Sequence, residues 1–308
     1  MSVYSLSPAT KDIKKRVRSE FGLNEQSMKE AVQILRDWLE FQPHLPQEPD
    51  DERLERWIVR CKNSLEKAKK SIDLYFTMKN VTPDMMSNWD TTAKWFKNCI
   101  STWYIFPMPD LTENYERVVC YSLQNNDSTL FNPDDFFKFT LMTLDVRMCE
   151  EYCLSDIYIL DLGKFTLAHV AKVNIAGLRK YEVCAMGGFK VRVKAAYIIN
   201  TPPHAEIIIS MIKAVFKSKI VSRIQVFGND LTKFYEQIPR RILPKELGGG
   251  AGSSDEYMGR WTQKLESYHD WFLEREHLKS DETKRPSGAT VTSDLFGFEG
   301  SFRKLTLD

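Results

Sequence analysis

The sequence predicts an α/β protein: an N-terminal helical bundle followed by an α/β lobe with a mostly parallel sheet. Three observations carry that prediction. The first 90 residues repeat apolar side chains at helical spacing; strand-length apolar runs then alternate with helix-length segments; and a strand with a basic face leads into a helix that is apolar around most of its circumference. Alternation of this kind implies strand–helix–strand units with right-handed crossovers, hence parallel pairing.

In order, Ala9–Phe21 and Gln26–Phe41 read as charged amphipathic helices, with Val32, Leu35, Trp38 and Leu39 on one face of the second. Pro43, Pro46 and Pro49 end that helix. Asp50 and Asp51 read as cap and first-turn acids of a third, in which Leu54, Trp57, Ile58 and Cys61 share a face. Ser64 is expected to cap a fourth, Leu65–Met78. Residues 81–109 have no clear period, and Trp89, Trp95, Phe96 and Trp103 there are expected to pack a junction between lobes. Strands are expected at Val118–Leu123, Ile157–Leu162, Val191–Ile199 and Arg223–Phe227, with helices at Pro133–Cys153, Ala168–Met186 and Ala205–Lys217 between them. Trp261–His277 reads as a last amphipathic helix and Lys279–Asp308 as a loosely packed tail. The expected division is residues 1–90, 91–255 and 256–308.

The segment 188–217 is the most informative. Lys190, Arg192 and Lys194 alternate with Val191, Val193 and Ala195, which on a strand places the cations on one face. In the helix that follows, Glu206, Ser210, Lys213 and Lys217 form one narrow polar stripe and the rest is apolar. Such a helix is a buried crossover, a cover for an equally apolar surface, or, with Lys217, Lys219 and Arg223 just beyond it, a lid that also meets an anionic surface.

Composition narrows the function. The chain has 308 residues, 43% of them hydrophobic and 28% charged, which suits a globular core. The 43 basic residues nearly cancel the 42 acidic ones, so no overall field favours nucleic acid, and any charged surface must be local. No apolar run approaches the roughly 20 residues that span a bilayer, and the N-terminus has no signal-peptide pattern, so a cytoplasmic protein that visits membranes peripherally is expected. The six cysteines lack a disulfide or zinc spacing and read as free thiols. No nucleophile elbow, phosphate loop or dinucleotide fingerprint occurs, and no histidine has a partner at a telling interval. The expectation is a binding protein with no catalytic residues, metal or cofactor.

Several segments resemble the CRAL-TRIO (Sec14-like) family over about residues 30 to 255. Leu35–Leu39, Gln42–Pro46 and Asp51–Lys69 are similar to its N-terminal helical region, in the form found in insect members and in the α-tocopherol and retinaldehyde transfer branch. Ile159-Leu-Asp-Leu-Gly163 resembles a strand-end Asp-Leu-Glu-Gly with the Glu missing, and Phe189–Pro202 resembles the strand before the family's lid. Ile242–Gly249 resembles its closing Leu-Pro-x-Glu-Tyr-Gly-Gly, with Leu247 in place of the aromatic.

The resemblance implies a cavity between the sheet and a mobile helix 205–217, holding one hydrophobic molecule such as a tocopherol, retinoid or carotenoid as cargo. Expected cavity residues are Phe136, Phe139 and Thr140; Ile157, Ile159, Phe165, Leu167 and Ile199; and Ile208, Ile212, Val215 and Phe216. It also implies a phosphoinositide cleft formed by Lys190, Arg192, Lys219 and Arg223. A further basic position of that cleft falls on Cys61, flanked by Arg60 and Lys62.

Overall fold

A computed structural model describes residues 6–47, 49–286, 288 and 296. Helices Lys11–Ser19, Glu25–Glu40, Asp51–Arg60 and Leu65–Val81 build the N-terminal bundle. Local chemistry sets their starts: the side chains of Thr10, Asn24 and Asp50 each accept from a backbone N–H of the first turn. Ser64 precedes the fourth helix without a side-chain cap bond. Leu35, Leu54, Trp57 and Ile72 are fully buried within this bundle.

The sheet has five strands in sequence order: β1 Trp103–Leu111, β2 Glu116–Leu123, β3 Ser155–Asp161, β4 Val193–Ile199 and β5 Ile224–Val226. β1 pairs antiparallel with β2, and the other pairs are parallel. β1 lies in the stretch with no readable period; Pro107 and Pro109 suit an edge strand, and its register with β2 shifts between Pro107 and Leu111. Each parallel connection steps to the next strand in the same direction, so right-handed crossovers place all their helices on one face. Pro133–Glu150 packs on Ile175–Glu182, which packs on Ala205–Val215. The opposite face carries Ser254–Ser267 against β1.

Four expectations are corrected. The helix expected over 168–186 is broken into Leu167–Val170, Ile175–Glu182 and a π-helical turn Val183–Gly188. Close packing holds that turn: a Cβ on Gly187 would sit 2.4 Å from Leu74, and one on Gly188 would sit 3.1 Å from the backbone of Tyr75. β4 starts at Val193, two residues late, because Lys190 is in the left-handed region at φ 53°. The last helix runs as Ser254–Ser267 and His269–Glu274, split at Tyr268. Residues 280–285 are pinned, contrary to the expected loose tail: Ser280 N–H donates to Phe76, Asp281 N–H to His44, and Arg285 grips Asp73 at 2.8 Å. Most of the remaining tail lies outside the described residues.

The N-terminal bundle is bonded to the α/β lobe through buried polar contacts. Arg53 donates to Asp145 at 2.8 Å, and the Tyr75 hydroxyl donates to the same carboxylate at 3.0 Å. Trp57 Nε1 donates to the Gly188 carbonyl and Arg60 to that of Phe189. A second buried network joins Arg117, Glu151, Arg147 and Asp156. Burial alone would raise the Glu151 pKa, but Arg147 and then Arg117 hold it well below the usual carboxylate range. Cys153 approaches Glu151 and Asp156, yet both carboxylates are engaged by arginines, so this acidic trio is an ion-pair network.

Candidate functional site: an apolar cavity beside a basic cluster

A cavity with about 1110 Å³ of empty space, counting what opens to solvent, lies between the sheet and the crossover helices. Its floor is Tyr121, Tyr158, Leu160, Ala196 and Ile198, which stand in adjacent cross-strand rows on one face. One wall is the first turn of Pro133–Glu150, with Pro133, Phe136 and Phe137. Leu178, Tyr181 and Met186 form another. Trp103, Phe131, Leu162 and Phe165 close the end at the C-terminal edge of the parallel strands. Ile208, Ile212 and Phe216 cover it, with Ile220 and Ile224 beside them.

The covering helix is held at each end by a specific bond. The His204 Nε2 lies 2.8 Å from the Phe165 carbonyl oxygen, and Arg179 donates to the Val215 carbonyl at 2.8 Å. Beside Phe165, the short helix Leu167–Val170 starts with a capping box in which His169 takes the place of the usual acid or amide. His169 Nδ1 accepts from Thr166 N–H at 3.1 Å, and its ring packs edge-on against Phe131. Burial, before any neighbouring charge, pushes the His169 pKa down.

Of the expected cavity residues, Phe136, Phe165, Ile208, Ile212 and Phe216 line the space. The others do not, for identifiable reasons. Ile157, Ile159 and Ile199 have the opposite strand parity: Ile159 stands in a row with Phe106, Cys120 and Tyr197, on the face where Phe106 stacks on Tyr257 and Tyr197 packs on Phe234. Phe139 is stacked 5.5 Å from Phe96, toward the helix Lys94–Thr102. Thr140 is buried with its hydroxyl donating to the Phe136 carbonyl. Val215 is buried in the packing of its own helix, and Leu167 is 65% exposed. Tyr121, Tyr158 and Tyr181 also line the space and are not among the expected residues; the alternation Tyr158-x-Leu160-x-Leu162 marks the strand face of Tyr158 alone.

The expected cations do gather, though not on a strand face. Arg192 precedes β4, is half-buried, and lies 4.6 Å from the ring centre of Phe21. The exposed Lys62, from the N-terminal bundle, has its pKa lowered first by Arg192, then by partial burial, Lys219 and Arg223. Lys190 is near enough to act on the buried Cys61 thiol. Lys194, the remaining member of the expected alternation, turns to Glu116 at 3.7 Å. Among the described residues none of Lys62, Lys190, Arg192, Lys219 or Arg223 makes an ion pair within 4.0 Å, although Asp156 and Glu20 act on Arg192 from farther off and Arg223 donates to the Val193 carbonyl. Cys61 itself is 3% exposed, and Lys62 next to it supplies the cation.

Residues 101–249 match the model of the CRAL/TRIO domain, and residues 24–96 match that of the Pinta-like UBA domain. The chain carries a CRAL/TRIO domain. This CRAL/TRIO-domain chain is 26% identical over 267 residues to a human protein named alpha-tocopherol transfer protein-like, covering 86% of this chain and 77% of that one. The mouse protein of the same name is 26% identical over 249 residues, 80% of this chain and 72% of that one. Among solved structures, that of Sfh5 matches with a TM-score of 0.45 and 12% identity, over 80% of this chain and 99% of that one. No helix among the described residues is long and apolar enough to cross a membrane.

Proposed function

We propose that this CRAL/TRIO-domain protein binds one small hydrophobic molecule and carries it between membranes, as the names of its relatives suggest for them. The observation that carries the reading is that one segment, residues 190–224, both lines the apolar cavity and, with Lys62, supplies the basic cluster. Burying apolar cargo contributes about 25 cal/mol per Å², which is enough to hold a tocopherol-sized molecule. Opening helix Ala205–Val215 in water would expose Ile208, Ile212 and the aromatic floor, so opening is favoured only where a bilayer covers them. Phosphoinositide head groups on Lys62, Lys190, Arg192, Lys219 and Arg223 would hold the protein there while the lid opens, so the protein works from the cytoplasm and visits membranes peripherally.

The test is native mass spectrometry of the full chain, followed by organic extraction, then transfer of the recovered compound between liposomes with and without phosphoinositide. A stoichiometric apolar adduct that moves faster to phosphoinositide-containing acceptors supports the reading. A chain that neither retains nor transfers apolar compounds would overturn it.

A further inference from the structure

We propose that the cargo carries a neutral oxygen function, a hydroxyl or a carbonyl, at one end, and that the hydroxyls of Tyr121 and Tyr181 hold it. The proposal rests on the carrier reading above. Tyr121 comes from the floor strand β2 and Tyr181 from helix Ile175–Glu182, and both line the cavity. Their rings are fixed: Tyr121 stacks on Tyr158 with centroids 5.7 Å apart and planes at 11°, and Tyr181 stacks on Phe137 at 5.1 Å and 21°. The two hydroxyls are close enough for Tyr181 to bear on the ionisation of Tyr121, yet neither makes a hydrogen bond among the described residues. Neither oxygen is sealed away, unlike the indole N–H of Trp103, which is enclosed without a partner in a residue packed by Phe131, Phe136 and Phe165. Tyr197 has an unbonded hydroxyl as well, but its side chain stands on the other face of the sheet, against Phe227 and Phe234.

A phenol hydroxyl both donates and accepts, so two of them side by side can hold one oxygen from two directions. Facing purely apolar cargo, each would lose its water and gain no partner. The surroundings set the charge of what fits. Asp156 bears on Tyr121, Tyr158 and Tyr181 alike, and the Tyr158 hydroxyl lies 3.4 Å from its Oδ2. Arg147, the cation that acts most strongly on all three, is already taken by Glu151 and Asp156. That charge is spent, so a neutral oxygen fits where a carboxylate does not. Almost all of the remaining cavity surface is apolar, which suits a hydrocarbon body with its oxygen at one end. Asp156 also bears on Arg192, so the oxygen end adjoins the basic cluster and the apolar end lies toward Trp103 and Phe165.

The experiment titrates the delipidated full-length chain with diphenylhexatriene and with its para-propanol derivative. Quenching of tryptophan emission reports binding, since Trp103 lies in the wall. The chain with Tyr121→Phe and Tyr181→Phe keeps both rings and loses only the two oxygens, and comparing it with the wild type cancels the probes' own difference in solubility. In that variant the alcohol is expected to lose about tenfold or more in affinity and the hydrocarbon to stay within about twofold. Should the double exchange lower the melting temperature, Tyr181→Phe alone, at the less buried position, tests the same point with about fivefold expected for the alcohol. An alcohol that binds variant and wild type equally, or an equal loss for both probes, would overturn the inference while leaving the carrier reading intact. If neither probe binds and no apolar compound co-purifies, the carrier reading itself fails.

Discussion

Lys62 belongs to the N-terminal bundle and Lys219 to the α/β lobe, yet Lys62 feels the charge of Lys219 because the bend after Asp51–Arg60 delivers it to the segment that follows the lid. Both are exposed, so their replacement tests charge without disturbing packing. Lys62→Ala with Lys219→Ala is expected to remove about 2 kcal/mol of attraction to an anionic bilayer, about thirtyfold in liposome partitioning at low salt, with cargo stoichiometry unchanged. Equal loss of cargo would count against a separate head-group cleft. His169 offers a second test. Burial lowers its pKa in the folded protein, so below the ordinary value near 6.5 the unfolded chain binds the extra proton first and stability falls with pH. Protonating Nδ1 also removes the acceptor that closes the capping box, with Asp127 and Lys172 the nearest charges. The melting temperature is expected to drop between pH 7.5 and 5.5, and His169→Gln, which can still cap, is expected to flatten that slope. An unchanged slope would remove His169 as its source.

At the scale of the element, helix Ala205–Val215 is too apolar to be stable away from a cover, yet its attachment is slight. His204 fastens its start to Phe165, and Arg179 fastens its end through the Val215 carbonyl. A hydrogen bond to a charged group contributes about 1.5–3 kcal/mol. Arg179→Met should therefore raise the open population about tenfold or more and speed liposome-to-liposome transfer accordingly, while the protein still purifies with cargo. Stopped-flow transfer kinetics read this directly, and an unchanged rate would show that the Arg179 bond does not hold the lid. The π-helical turn Val183–Gly188 has a comparable positional role: it carries Met186 to the cavity and leads directly to Lys190 and Arg192.

Across the whole molecule, the two lobes share buried charge. Asp145 sits on the helix Pro133–Glu150, while its partners Arg53 and Tyr75 belong to the N-terminal bundle. Removing one member of a buried pair leaves the other uncompensated, at a cost of about 3–5 kcal/mol. Asp145→Leu is expected to lower the free energy of denaturant unfolding by that amount, whereas the double change Arg53→Met with Asp145→Leu should recover much of it. A single-site loss below about 1 kcal/mol would show that the pair does not couple the lobes. This coupling matters for function because Trp57 and Arg60, in the same bundle, grip the carbonyls of Gly188 and Phe189 and so fix where the basic cluster begins.

The sequence by itself determined the fold class, the alternation of strands and helices, the cap at Asp50, and the covering helix with cations beyond it. Those features are local: periodicity, capping chemistry and composition act over a few residues. It also led to Phe136, Phe165, Ile208, Ile212 and Phe216, because a strongly apolar face next to a sheet has few places to go. Only the tertiary structure decided which face of each strand meets the cavity. A one-residue error in parity exchanges Ile157 and Ile159 for Tyr158 and Leu160, and a strand buried on both faces carries no polar alternation to prevent that error. β1 was hidden for a similar reason, since prolines suit an edge strand but spell interruption in a linear reading. The basic cluster, too, is a product of folding: the cations at 190 and 192 lie before the strand, and the chain's bend at Lys62 and Asn63, both in the left-handed region, brings Lys62 beside them.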